Sequence, residues 1–258
     1  MPPEPLTDKA VKHVERTQAS QARRLPHIDL LRGVAIALMV AFHFSYDLSH
    51  FGFVAFDFHN DPFWLHARTF ILGLFLLLVG ISLVLSTRHG LRLRPTLKRL
   101  GLIVGCAALI SLSSYLMFGP RWIFFGVLHF IAVASVIGLP FVRMPWLALL
   151  LGMGLITLDY TFSSTFFDQA ALQWIGLMTH KPATEDYVPL IPWFGVVLIG
   201  IFLARILSRK TQPAWIQKLN ATRPARWLAF AGRHSLLIYM LHQPLLIGIL
   251  RAVKIVSH

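Results

Sequence analysis

Seven stretches of the chain are apolar over a length that only a lipid bilayer demands: about 28–48, 65–86, 99–118, 122–141, 145–162, 189–208 and 234–254. A helix rises 1.5 Å per residue, so roughly 20 apolar residues cross the ~30 Å hydrocarbon core. Inside that core each backbone N–H and C=O needs a partner from the protein itself. The runs therefore predict an all-α, polytopic helical bundle of about seven transmembrane helices. Composition agrees, because 14% of the residues are charged against about 25% in a soluble domain.

The distribution of charge sets the expected orientation. A net charge of +13 in a soluble protein points to nucleic acid. Here most of the 24 Lys and Arg fall before the first run and in every second loop, the pattern of positive cytoplasmic loops. That reading excludes a nucleic-acid partner and puts the N-terminus inside and, after seven crossings, the C-terminus outside. Residues 1–26 are polar and read as a flexible cytoplasmic tail, since the first run starts too late and is too long for a cleaved signal peptide. No internal repeat divides the remainder, so 27–258 is expected to be one domain. The stretch 212–230, QPAWIQKLNATRPARWLAF, mixes Trp, Lys and Arg and reads as an interfacial amphipathic segment. Cys106 is the single cysteine, which rules out an intrachain disulfide and argues against a Cys-based metal site.

Ionisable side chains within the runs mark candidate function, because each costs at least ~2.5 kcal/mol at a helix centre unless it faces the bundle. The first run holds four. Asp29 and Arg32 lie at its inner end at a pairing distance of three residues. His43 follows roughly 16 Å further along, and Asp47 is one turn beyond His43 on the same face. A hydrogen-bonded pair joining two helices is the plain structural reading of His43 and Asp47. The functional one is a base oriented by a carboxylate. His129 sits at nearly the depth of His43, and the last run opens GRHSLLIYMLHQP, with Arg233 and His234 at the inner face and Tyr239, His242 and Gln243 deeper. Two outer loops, FDFHNDPFW and TEDYVPLIPWFG, add His59, Asp61 and Asp186, for which a solvated loop is the plain reading.

The pieces RLPHIDLLRGVAIALMVAFHFSYDL, LFLLLVGISLVLS, FGVLHFIAVA, YVPLIPWFGVVLIG and GRHSLLIYMLHQP resemble bacterial members of the heparan-α-glucosaminide N-acetyltransferase catalytic-domain family, in the family's order. The first also resembles the wider transmembrane acyltransferases, in which an arginine, ten residues and a histidine mark the first helix; Arg32 and His43 have that spacing. The resemblance implies a multi-pass enzyme of the bacterial inner membrane. It would transfer an acyl group, usually acetyl, from a cytoplasmic acyl-CoA to a sugar or glycan acceptor at the outer face. It makes His43 the catalytic histidine. In the lysosomal branch the active histidine lies in the following loop, and counting back from Gly80 lands on His59.

Acyl transfer from a thioester needs a base or nucleophile, an oxyanion stabiliser and a place for the donor. Histidine beside a carboxylate suits the first task, which selects His43 with Asp47, and His59 as the rival. His129, Tyr239, His242 and Gln243 are the candidates for the oxyanion and acceptor. At the inner face Asp29, Arg32, Arg88, Arg233 and His234 form the expected docking surface for coenzyme A phosphates, which guanidinium groups bind bidentately. Acetyl-CoA or another acyl-CoA is the expected co-substrate, with the bilayer and a glycan as the other partners and a homodimer left open. No metal or haem is expected. A transporter or proton-coupled channel also fits intramembrane His and Asp, although no inverted repeat is visible. A haem redox protein remains a third reading through His43, His129 and His242.

Overall fold

The structure, a computed structural model, describes residues 26–88, 90–207 and 214–256; most of the expected N-terminal tail lies outside the described residues. Among these the regular structure is entirely helical. The helices are α1 (Pro26–His50), α2 (Pro62–Thr87), α3 (Leu93–Phe118), α4 (Val127–Ile137), α5 (Pro145–Thr161), α6 (Leu190–Leu207), α7 (Ala214–Ala221), α8 (Arg223–Arg233) and α9 (Ser235–Val256). Five helices, α1, α2, α3, α6 and α9, are long and apolar enough to cross a bilayer, and α4 and α5 are shorter apolar helices. The chain is an all-α polytopic membrane protein.

The fourth predicted span is where the structure departs most from the expected pattern. Only 11 residues of it are α-helical, roughly 16 Å of rise against a ~30 Å core. Gly126 precedes the helix and Pro140, which cannot donate an N–H, opens a 3₁₀ turn after it. The irregular backbone ahead of α4 is satisfied by the neighbouring helix: Ser111 Oγ donates to the Ile123 carbonyl at 2.7 Å, and Ser114 Oγ accepts from Ile123 N at 3.0 Å. Non-helical backbone at membrane depth is tolerated when protein supplies such partners.

The core lies between α2, α4 and α6, where Leu76, Phe130, Val197, Leu198 and Ile201 are fully buried. By contrast α9 presents Leu237, Leu241, Leu245, Ile249 and Val253 outward, the apolar exterior that a lipid solvent favours. The segment expected to be interfacial folds as α7 and α8, and α8 docks on α1. Ala225, Ala229 and Gly232, spaced to share one face, are buried there beside Leu30. The approach is close enough that a Cβ on Gly33 would overlap the Leu228 carbonyl, and one on Gly232 the Asp29 carbonyl. The apolar side of α8 thus belongs to the bundle, while Trp227 and Phe230 stay exposed.

Candidate active site

On α9, Tyr239, His242 and Gln243 are three and four residues apart, so one face carries all of them. That face meets α1. The His43 and His242 rings lie edge to face with centroids 5.0 Å apart, and the Tyr239 ring centroid is 5.7 Å from that of His242. His242 Nδ1 lies 2.6 Å from the Tyr239 carbonyl. A carbonyl only accepts, so Nδ1 bears the proton and Nε2 keeps its lone pair. That Nε2 is buried and has no partner among the described residues.

Asp47 is 2% exposed. Its Oδ1 accepts a 2.9 Å hydrogen bond from Gln243 Nε2, so its partner is on α9 and not His43 on its own helix. Being on one face made the His43–Asp47 pair available, but the carboxylate turns to the neighbouring helix instead. Asp47 Oδ2 and Gln243 Oε1 are buried without a protein partner. The bond that remains ties α1 to α9. Gln243→Leu should lower stability by about 1–3 kcal/mol, because it strands a buried acceptor. A thermal-melting cycle checks this: Asp47→Leu/Gln243→Leu should melt above Gln243→Leu alone, and a double variant no more stable than the single would refute the tie.

Tyr239 leads out of the pair toward the loop before α6. Its side chain is hydrogen-bonded to Asp186, and Asp186 Oδ2 also accepts from Val127 N at 3.0 Å, at the start of α4. The carboxylate lies so close to Gly126 that a Cβ there would overlap it. Burial pushes the Asp186 carboxyl above its ordinary value, while the Val127 bond, the Lys181 ammonium and the Tyr239 hydroxyl pull the other way. In sequence Asp186 was one acidic residue of a polar loop; its hydrogen bonds join three segments that only the fold brings together.

The other candidates are placed differently. His129 has both ring nitrogens engaged, Nε2 with Ser111 Oγ at 3.0 Å and Nδ1 with Gly126 N at 3.3 Å. Ser111 gives its own proton to Ile123 O, so His129 Nε2 donates and Nδ1 accepts. It staples the turn ahead of α4, and neither nitrogen is available for an oxyanion. His59 is exposed on the loop between α1 and α2, next to Phe58, which is 7% exposed and stacks on Trp64 at 4.2 Å. Its backbone N–H and that of Asn60 bond to Asp57 Oδ1 at 3.0 and 2.9 Å, an Asx turn that points the sequence outward. A 2.9 Å bond from Asn60 Nδ2 to Asp57 Oδ2 and those two backbone bonds hold the Asp57 carboxyl below its usual value.

At the opposite end of the bundle Arg32 bonds Asp29 at 3.0 Å and Ser82 Oγ at 2.8 Å, tying α1 to α2. Arg233 is exposed, 5.8 Å from the Phe230 ring, and His234 Nδ1 donates to the Phe230 carbonyl at 2.9 Å. Arg88 is apart from these and lines a cavity with Arg143 and Arg205. The expected docking surface therefore reaches one end of the bundle but divides into two groups. Arg143 and Arg205 were visible in sequence only as cations of the inner loops.

The family described as "Heparan-alpha-glucosaminide N-acetyltransferase, catalytic" matches residues 24–244, a span that holds every candidate from Asp29 to Gln243. No curated protein and no solved structure matches the chain.

Proposed function

The chain belongs to the heparan-alpha-glucosaminide N-acetyltransferase catalytic family, and from that premise we propose that it moves an acetyl group from acetyl-CoA to an amino sugar or other glycan acceptor. The observation that carries the reading is the His43–His242 pair, two imidazoles from separate spans 5.0 Å apart with the proton of His242 fixed on Nδ1 by the Tyr239 carbonyl. General bases act from a lone pair within hydrogen-bond reach of the proton they take.

In this scheme the acceptor nitrogen or oxygen attacks the thioester carbonyl carbon while His242 Nε2 takes its proton, with His43 facing it across the site. The C–S bond then breaks and that proton returns to the departing sulfur, so coenzyme A leaves as the thiol. Asp47 and Gln243 position α9 against α1, and the Tyr239 carbonyl orients His242 through its Nδ1. The arginine-rich end is the cytoplasmic, donor side by the positive-inside rule. The histidine end then faces outward, where the acceptor arrives.

Purified protein in proteoliposomes, given acetyl-CoA labelled in the acetyl group and a panel of amino sugars, should release thiol and label an acceptor in equal amounts. Acceptor flux without donor consumption would instead identify a transporter. Absence of both donor turnover and acceptor labelling would remove the acyltransferase reading.

A further inference from the structure

The helix α8 has two faces, and the bundle uses one of them. Ala225, Ala229 and Gly232 are buried on α1, where Gly232 meets Asp29 and Gly33. On the opposite side Trp227 is 74% and Phe230 50% exposed, and Arg223, Arg226, Arg233 and His234 are exposed with them. At 3.6 residues per turn these positions occupy about one third of the helix circumference. Arg223, Trp227, Phe230 and His234 form one row along it, and Arg226, Phe230 and Arg233 a second.

The level of this face along the membrane axis is fixed twice. α8 meets α1 near the start of that span, and α9, long and apolar enough to cross a bilayer, begins at Ser235, two residues after Arg233. The face therefore sits where spans meet water, the level at which Trp is enriched because its ring is apolar and its N–H polar. A solvated surface accounts for the arginines alone, and an aromatic belt for Trp227 and Phe230 alone. Neither accounts for the two kinds alternating along one face with no carboxylate among them. No Asp or Glu follows Asp186 in the chain, and Asp29, the acidic residue beside Gly232, bonds Arg32 at 3.0 Å. Arg233 lies 5.8 Å from the Phe230 ring centre, the posture of a side chain whose stem follows apolar surface while its head reaches for polar groups.

We propose that this face of α8 binds anionic phospholipid, with Trp227 and Phe230 at the boundary of headgroups and acyl chains and Arg223 and Arg226 on the headgroup phosphates. A helix face that interleaves basic and aromatic residues suits an anionic lipid surface, and guanidinium forks match phosphate oxygens bidentately. Because the close contacts of Gly33 and Gly232 lock α8 to α1, lipid held on this face is held against the helix that carries His43. The lipid site requires the membrane fold alone and is independent of the acyltransferase reading.

Full-length protein is reconstituted in phosphatidylcholine bilayers carrying the same small fraction of either brominated phosphatidylcholine or brominated phosphatidylglycerol. Bromine on an acyl chain quenches tryptophan fluorescence at close range, and the difference between wild type and Trp227→Phe isolates the share of Trp227. The anionic lipid should quench that share about tenfold or more above the zwitterionic one, since each arginine at a membrane surface favours anionic lipid by about fivefold. Arg223→Gln/Arg226→Gln should lower that ratio by about fivefold or more. Arg92→Gln/Arg94→Gln removes the same charge from exposed positions at the start of α3 and should leave the ratio within about twofold of wild type. Wild type in about 0.5 M salt, where charges are screened beyond roughly 4 Å, should also lose most of the preference, so the test does not depend on the double variant folding. Equal quenching of Trp227 by both lipids overturns the proposal, as does a ratio unchanged by the Arg223/Arg226 substitutions or by salt. So does a ratio that the Arg92/Arg94 substitutions lower equally. Trp227 quenched by neither lipid overturns it too, because a protein surface such as a second copy of the chain then covers the face.

Discussion

His43→Ala and His242→Ala should each lower acetyl transfer by ~10²- to 10⁴-fold, the usual contribution of a positioned acid or base, whereas His59→Ala should stay within about twofold. The two spans supply one pair of imidazoles, with ring centroids 5.0 Å apart, so removing either leaves the other without its counterpart. His59 lies exposed on the loop beyond the Phe58–Trp64 stack, where water competes for any proton it would take. Rates are measured as thiol release and acceptor labelling at saturating donor, with thermal melting to confirm that each variant is folded. Activity surviving in His43→Ala and lost in His59→Ala would move the chemistry to the loop and refute the pair as the site.

A large loss of stability is expected on substituting Gly232. A side chain there would occupy the position of the Asp29 carbonyl, and neither helix backbone can yield without parting α8 from α1. Overpacking typically costs 1–3 kcal/mol and occasionally more; because the obstacle is backbone on both sides, Gly232→Val should cost about 3 kcal/mol or more. Gly101→Ala is the matched control, since nothing lies within 4 Å of a Cβ there and a mid-helix alanine is favoured by roughly 0.5–1 kcal/mol. Thermal unfolding followed by tryptophan fluorescence in detergent separates the two. A Gly232→Val protein that melts with wild type would mean that the α1–α8 contact does not hold the fold together. The same contact sets Arg233 beside the start of α1, so its loss should also disturb the arginine-rich end.

How much was legible depends on how local each cause is. Hydropathy over some twenty residues is local, and six of the seven apolar runs became helices near their expected bounds. The fourth shortened because Gly126 and Pro140 interrupt it and because Ser111 and Ser114 of α3 satisfy the backbone it leaves open, a partnership between segments. Helical spacing correctly put Tyr239, His242 and Gln243 on one face of α9. It could not say that the face meets His43 and Asp47, nor that Asp47 prefers Gln243 to a histidine one turn away. His129 looked like His43 in sequence, an imidazole in an apolar run. What distinguishes them is that Ser111 and Gly126 engage both nitrogens of His129.

The amino-acid sequence alone determined the solvent of this protein, its helical class and its family, because length, apolarity and motif spacing are properties of continuous segments. It also placed polar residues at two levels along the first helix. Only the tertiary structure decided which imidazoles face each other, which carboxylate holds which helix, and that Arg88, Arg143 and Arg205 share one cavity. Hydrogen bonds and charge contacts act over a few ångströms, so they are settled by the approach of distant helices, and that approach depends on details as small as the missing Cβ of Gly33 and Gly232.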